Sequence, residues 1–87
     1  MIALGMVELN SIPKGIEAAD AMLKAADVQL TAAHCVCAGK YIAVVTGEVA
    51  AVRASVAAAE GLEEISGLMA ESVVIPSPHA DLFSSLV

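Results

Sequence analysis

The sequence predicts an α/β domain of the α+β kind, an antiparallel sheet carrying two helices on one face. Three observations predict it. Strand-like and helix-like hydrophobic periodicities succeed one another in the order β-α-β-β-α-β. A tight Ala38-Gly39 connection falls between the two middle strands, where a hairpin belongs. The 87 residues, 59% of them hydrophobic, are enough for one small core and too few for a second. The order is the split-βαβ, ferredoxin-like βαββαβ arrangement, extended here by a short C-terminal helix, and residues 1–87 read as a single domain.

Each element has its own signal. Ile2 to Leu9 is short and apolar on both faces, as in a strand covered on both sides. Asn10-Ser11-Ile12-Pro13 supplies a capping side chain just before a proline, so a helix starts there. From Lys14 to about Asp27, Ile16, Ala19, Leu23 and Ala26 make an apolar face, and Glu17, Asp20, Lys24 and Asp27 a charged one. Asp20 and Lys24 sit at i, i+4 in the favourable order. Val28 to Cys37 alternates: Val28, Leu30, Ala32, His34 and Val36 share one side, Gln29, Thr31, Ala33, Cys35 and Cys37 the other. Tyr41 to Val45 is the best strand in the chain. Thr46-Gly47 ends it and can cap a second helix, Glu48 to about Glu60, whose Val49, Val52, Val56 and Ala59 repeat the helical spacing. Gly61 is a stop signal. Leu62 to Glu71 is acidic and reads as a loop with a short helical turn. Val73-Val74-Ile75 is the last strand, and Ser77-Pro78 starts a terminal helix with Ser77 as its cap.

Composition narrows the function. Ten acids against four bases give a net charge of −6, and four scattered basic residues make no nucleic-acid footprint. No apolar run reaches the roughly 18 residues of a membrane span. The N-terminus lacks a signal peptide's basic lead and apolar block, and Cys35-Val36-Cys37 is no secreted disulfide framework, so the expected location is the cytoplasm. So apolar a chain has more greasy surface than one small core hides. It reads as a subunit of an oligomer.

Five sequence blocks carry a resemblance over essentially the whole chain. Ala3-Leu4-Gly5-Met6-Val7-Glu8 is followed by Gly15-Ile16-Glu17-Ala18-Ala19-Asp20-Ala21-Met22-Leu23-Lys24-Ala25-Ala26. Gly39-Lys40-Tyr41, Thr46-Gly47-Glu48-Val49-Ala50-Ala51-Val52 and Val74-Ile75-Pro76-Ser77-Pro78-His79-Ala80-Asp81 come next, in order. Together they resemble a bacterial microcompartment shell protein domain of the single-domain, hexamer-forming type. The resemblance implies a structural subunit of the shell in the bacterial cytoplasm. Homo-hexamers would tile edge to edge, beside other microcompartment shell proteins, and pass small metabolites through central pores.

The resemblance also assigns residues. Lys24 matches the family's edge lysine, although a solubilising role on a helix face explains it equally. His79 and Asp81 match a Pro-His-x-Asp edge motif, compatible with a helix start favouring Asp81. Ser77 stands where the family commonly has an arginine that bonds across the hexamer edge. Cys37, Ala38 and Gly39 align with the pore loop, followed by Lys40, which would favour anionic metabolites. The loop is similar to the Cys-Pro-Gly-Lys loop of a tandem-domain trimeric branch, found in propanediol-utilising compartments, where a cysteine ligates an iron–sulfur cluster.

Three readings of Cys37 stay open: a pore-lining thiol without a cofactor, a ligand for iron–sulfur or another soft metal, or a buried small side chain. A metal would require copies of Cys37 brought together on a symmetry axis. Cys35 and Cys37, at strand spacing, are poorly placed for an unstrained disulfide. His34 falls opposite them and reads as a packed histidine. No nucleophile elbow, His/Glu metal motif or phosphate loop is present, so the expectation is a protein that is not an enzyme. The rival classes are a metal or iron–sulfur pore protein passing electrons through Cys37, and a ligand-sensing regulator or metal carrier on the same topology.

Overall fold

The computed structural model describes residues 2–36, 38–62 and 67–84. Four strands, β1 (Ile2–Leu9), β2 (Gln29–Val36), β3 (Lys40–Glu48) and β4 (Met69–Ile75), form one sheet in the order β2-β3-β1-β4. Every neighbouring pair is antiparallel. Helices α1 (Ile12–Ala25) and α2 (Val49–Glu60) each connect strands that are not neighbours, and α3 (Ala80–Ser84) follows β4. This is the ferredoxin-like topology expected from the order of periodicities.

Register assigns the faces, because cross-strand partners share a side. Ala3, Gly5, Val7 and Leu9 pair with Gly47, Val45, Ala43 and Tyr41. A Cβ added at Gly5 would lie 2.7 Å from Val52 Cγ1 and 2.8 Å from Val56 Cγ2, both on α2. One added at Gly15 on α1 would lie 2.5 Å from Tyr41 Cβ. Both helices therefore press on this one face, and two glycines permit the approach. Between the layers Val7, Leu9, Met22, Val45 and Val52 are fully buried.

Helix α1 starts as its cap signal predicts: Ser11 Oγ accepts from the Lys14 N–H at 3.3 Å, with Pro13 in the first turn. Its buried stripe, however, is Gly15, Ala18, Ala19 and Met22. The stripe predicted from Ile16 and Leu23 is wrong, since these are 54% and 40% exposed. Tyr41 stands up from the sheet, and only a glycine can rest on it, so the helix is rotated towards its small residues.

In α2 the predicted stripe holds, with Val52, Val56 and Ala59 buried. Ser55 joins them, fully buried, its Oγ donating to the Met22 carbonyl at 2.9 Å. That carbonyl belongs to the last turn of α1, so the bond ties the two helices together. Thr46 and Gly47 do not cap this helix. Strand β3 continues through both, and Thr46 Oγ1 instead lies 3.1 Å from Thr31 Oγ1 across the sheet. Glu48 occupies the cap position without a side-chain cap bond. Gly61 does end α2, its N–H donating to the Ala57 carbonyl at 2.9 Å.

Two further expectations change. In β2 the pairing steps from Leu30↔Val45 to Ala32↔Val44, so Thr31 is an extra residue and the alternation flips there. Leu30, Ala33 and Cys35 consequently share the helix-covered face, while Gln29, Ala32, His34 and Val36 lie on the open face, where neither α1 nor α2 packs although Leu4 and Val44 are buried. Strand β4 begins at Met69, well before Val73, and the Asn10 N–H donates to the Leu68 carbonyl beside it. The strand is hard to see in the sequence because it sits on the sheet edge, where Ala70 and Glu71 are exposed. The short helical turn expected within Leu62–Glu71 would include residues 63–66, which lie outside the described residues.

Candidate functional site

The turn between β2 and β3 brings three of the four residues assigned to the loop to one end of the sheet. The fourth, Cys37, lies outside the described residues. Ala38 and Gly39 are exposed at the tip. Gly39 adopts φ +78°, the left-handed region that glycine enters without strain, and a Cβ there would meet nothing within 4 Å. Lys40 opens β3 opposite Val36. Its Nζ is 3.6 Å from Glu8 Oε2 on the open face.

Just before the turn, neighbouring side chains diverge. His34 is exposed and pairs with Ile42 on the open face, so it is not the packed histidine expected. Cys35 is an exposed free thiol opposite Tyr41 on the helix-covered face. The bulge at Thr31 thus reverses the predicted sides yet keeps His34 opposite Cys35. Among the described residues no group of three His, Cys, Asp or Glu side chains could hold a metal ion. Within one chain those residues do not fit an iron–sulfur cluster, which needs several thiolate ligands.

The residues assigned to the edge fall in two places. Lys24 lies in the last turn of α1, exposed, with Nζ 2.8 Å from Asp20 Oδ2. The hydrogen bond to Asp20, and then its charge, raise the Lys24 pKa above its ordinary value. Ser77, His79 and Asp81 follow β4. Ser77 is exposed and does not cap α3, which starts only at Ala80. His79 does so instead: its Nδ1 accepts from the Asp81 N–H at 3.1 Å, and its carbonyl accepts from the Leu82 N–H at 3.0 Å. Asp81 lies in the first turn, where a carboxylate complements the helix dipole, with Oδ2 3.9 Å from the same Nδ1.

One residue escaped the sequence reading. Glu8 is the sole charged residue of β1, in a strand apolar on both faces. That isolation was the available signal. A carboxylate in such a strand requires a partner, and Lys40 is that partner.

The topology and open turn define a small ferredoxin-like domain that offers an exposed loop at one sheet end and polar edges elsewhere. Residues 3–78 match the BMC domain. The bacterial microcompartment shell protein EutM of Salmonella typhimurium is 42% identical over 94% of this chain and 85% of its own length. The shell protein PduT of Citrobacter freundii is 38% identical over 97% of this chain and 45% of its own. The crystal structure of a microcompartment protein from Desulfitobacterium hafniense superposes with a TM-score of 0.90 at 44% identity, covering 99% of this chain and 47% of that one. The chain thus spans about half the length of the last two and most of EutM. It belongs to the BMC domain family.

Proposed function

We propose that this chain is a structural subunit of a bacterial microcompartment shell, forming homo-hexamers that tile with other shell proteins in the bacterial cytoplasm. The observation that carries the reading is the family match over residues 3–78, supported by the likeness to EutM across 85% of that protein. In this reading the whole of residues 1–87 is one shell domain and catalyses no reaction. Apolar side chains left outside the core, Ile16, Leu23 and Leu30, are available for burial between subunits. Among the described residues no helix is long and apolar enough to cross a membrane.

Cys37, Ala38, Gly39 and Lys40 would line a central pore for small metabolites. The exposed turn and the left-handed Gly39 support that role, since the tip is free to meet its copies around an axis. Lys24, Ser77, His79 and Asp81 would form the hexamer edges. Ser77 replaces a long bidentate donor with a short hydroxyl, which weakens edge bonding relative to an arginine at that position. We expect flat sheets to form poorly from this chain alone and better with a second shell protein.

A native mass spectrum of protein purified without oxygen tests the reading. A hexamer at the bare polypeptide mass is the expected result. Hexamers or trimers carrying iron and sulfide would make Cys37 a cluster ligand and move the function to electron passage. A bare monomer would overturn both.

A further inference from the structure

Building on the pore reading above, we infer that Glu8 sets the charge selectivity of the pore by holding Lys40. Lys40 is the first residue of β3 after the turn, and on its own it would place a cation beside the aperture in every subunit. The sheet register changes that. Glu8 pairs with Ile42, so Lys40 is its diagonal neighbour on the open face, and the two charges lie 3.6 Å apart. Glu8 is 24% exposed and Lys40 45%, so water screens the pair only in part.

The same band of the sheet carries more acid than base. Glu71 pairs directly with Glu8 from β4, and His34 stands across Ile42 on β2, both exposed. Two carboxylates, Glu8 and Glu71, share that band with one ammonium, so Lys40 is not a free cation at the rim. Anions gain no advantage there, and the solutes that fit are small, polar and uncharged or cationic. This replaces the expectation that Lys40 favours anionic metabolites.

The test measures reversal potentials in planar bilayers under a potassium chloride gradient, for hexamers of the wild type, Glu8→Gln, Lys40→Ala and the double variant. Wild type should show no preference for chloride and a modest one for potassium. Glu8→Gln should raise the chloride-to-potassium permeability ratio about threefold or more by releasing Lys40. Lys40→Ala should shift it towards potassium, and the double variant should return near wild type. A wild type already as anion-selective as Glu8→Gln would overturn the inference, as would a Glu8→Gln variant indistinguishable from wild type. If no form conducts although hexamers are intact by native mass, the pore reading itself fails.

A second measurement stands apart from conductance. Acylation of the Lys40 amine by a water-soluble ester, followed by mass spectrometry, should run several times faster in Glu8→Gln than in wild type. Equal rates would show that Glu8 does not hold Lys40.

Discussion

On the helix-covered side of the sheet, contacts are made at the limit of what backbone and small side chains permit. Gly15 rests on Tyr41, Gly5 lies beneath Val52 and Val56, and a buried serine bonds one helix to the other. At the β2–β3 end, a Cβ added at the Gly39 tip would meet nothing, a thiol and an imidazole stand exposed on opposite faces, and the Lys40–Glu8 pair lies beside them. The first region tolerates almost no added atom; the second tolerates many. Substitution should therefore cost stability in one and alter permeation or assembly in the other.

The largest effect should come from Gly15→Ala. A helix interior gains about 1 kcal/mol when alanine replaces glycine. Here the new methyl would strike Tyr41 Cβ, an atom fixed to the sheet, and overpacking typically costs about 1–3 kcal/mol or more. The clash wins, and thermal melting should fall by roughly 10 °C. Gly5→Ala should cost less, because it meets the methyl ends of two valines in place of a Cβ. An equal or higher melting temperature for Gly15→Ala would mean that α1 does not sit on Tyr41.

Ser55→Ala comes next. It removes a buried bond between the two helices, a loss of about 1 kcal/mol measurable by urea denaturation. Ser11→Ala should cost about 0.5–1 kcal/mol, towards the low end because the cap bond to Lys14 is long at 3.3 Å.

The smallest effect on folding belongs to Lys24→Ala, which should leave the melting temperature unchanged while impairing edge-to-edge tiling seen by electron microscopy. Its pH dependence has a definite sign. The lysine pKa is raised in the fold by Asp20, so the pair's contribution is complete below the ordinary value of 10.5 and disappears as pH rises through the raised one. Wild type and variant should therefore melt together across neutral pH. A difference that changed between mildly acidic and neutral solution would implicate another group. Together the five substitutions would map where packing ends and where the working surface begins.

Much of the architecture was legible because it rests on local patterns. The Ser11–Pro13 start, the Ala38-Gly39 hairpin and the valine stripe of α2 are short-range signals, and each appears in the fold. The misreadings arise where separated segments meet, each for its own reason. Ile16 and Leu23 looked like a core face, yet small residues beside them pack closer, which periodicity weighted by hydrophobicity does not register. The bulge at Thr31 inverted an alternation that was otherwise correct. Of the candidate site, the loop and edge residues were found through resemblance, whereas Glu8 was overlooked because its partner lies on another strand.

By itself the sequence determined the order of elements, the helix and hairpin signals, the family and the location of the loop, since all of these are written in neighbouring residues. The tertiary structure alone decided which side of α1 is buried, which face of the sheet carries Cys35 and which His34, and that Lys40 answers to Glu8. Those outcomes depend on strand register and on the distance between layers, and both are fixed only when separated segments meet.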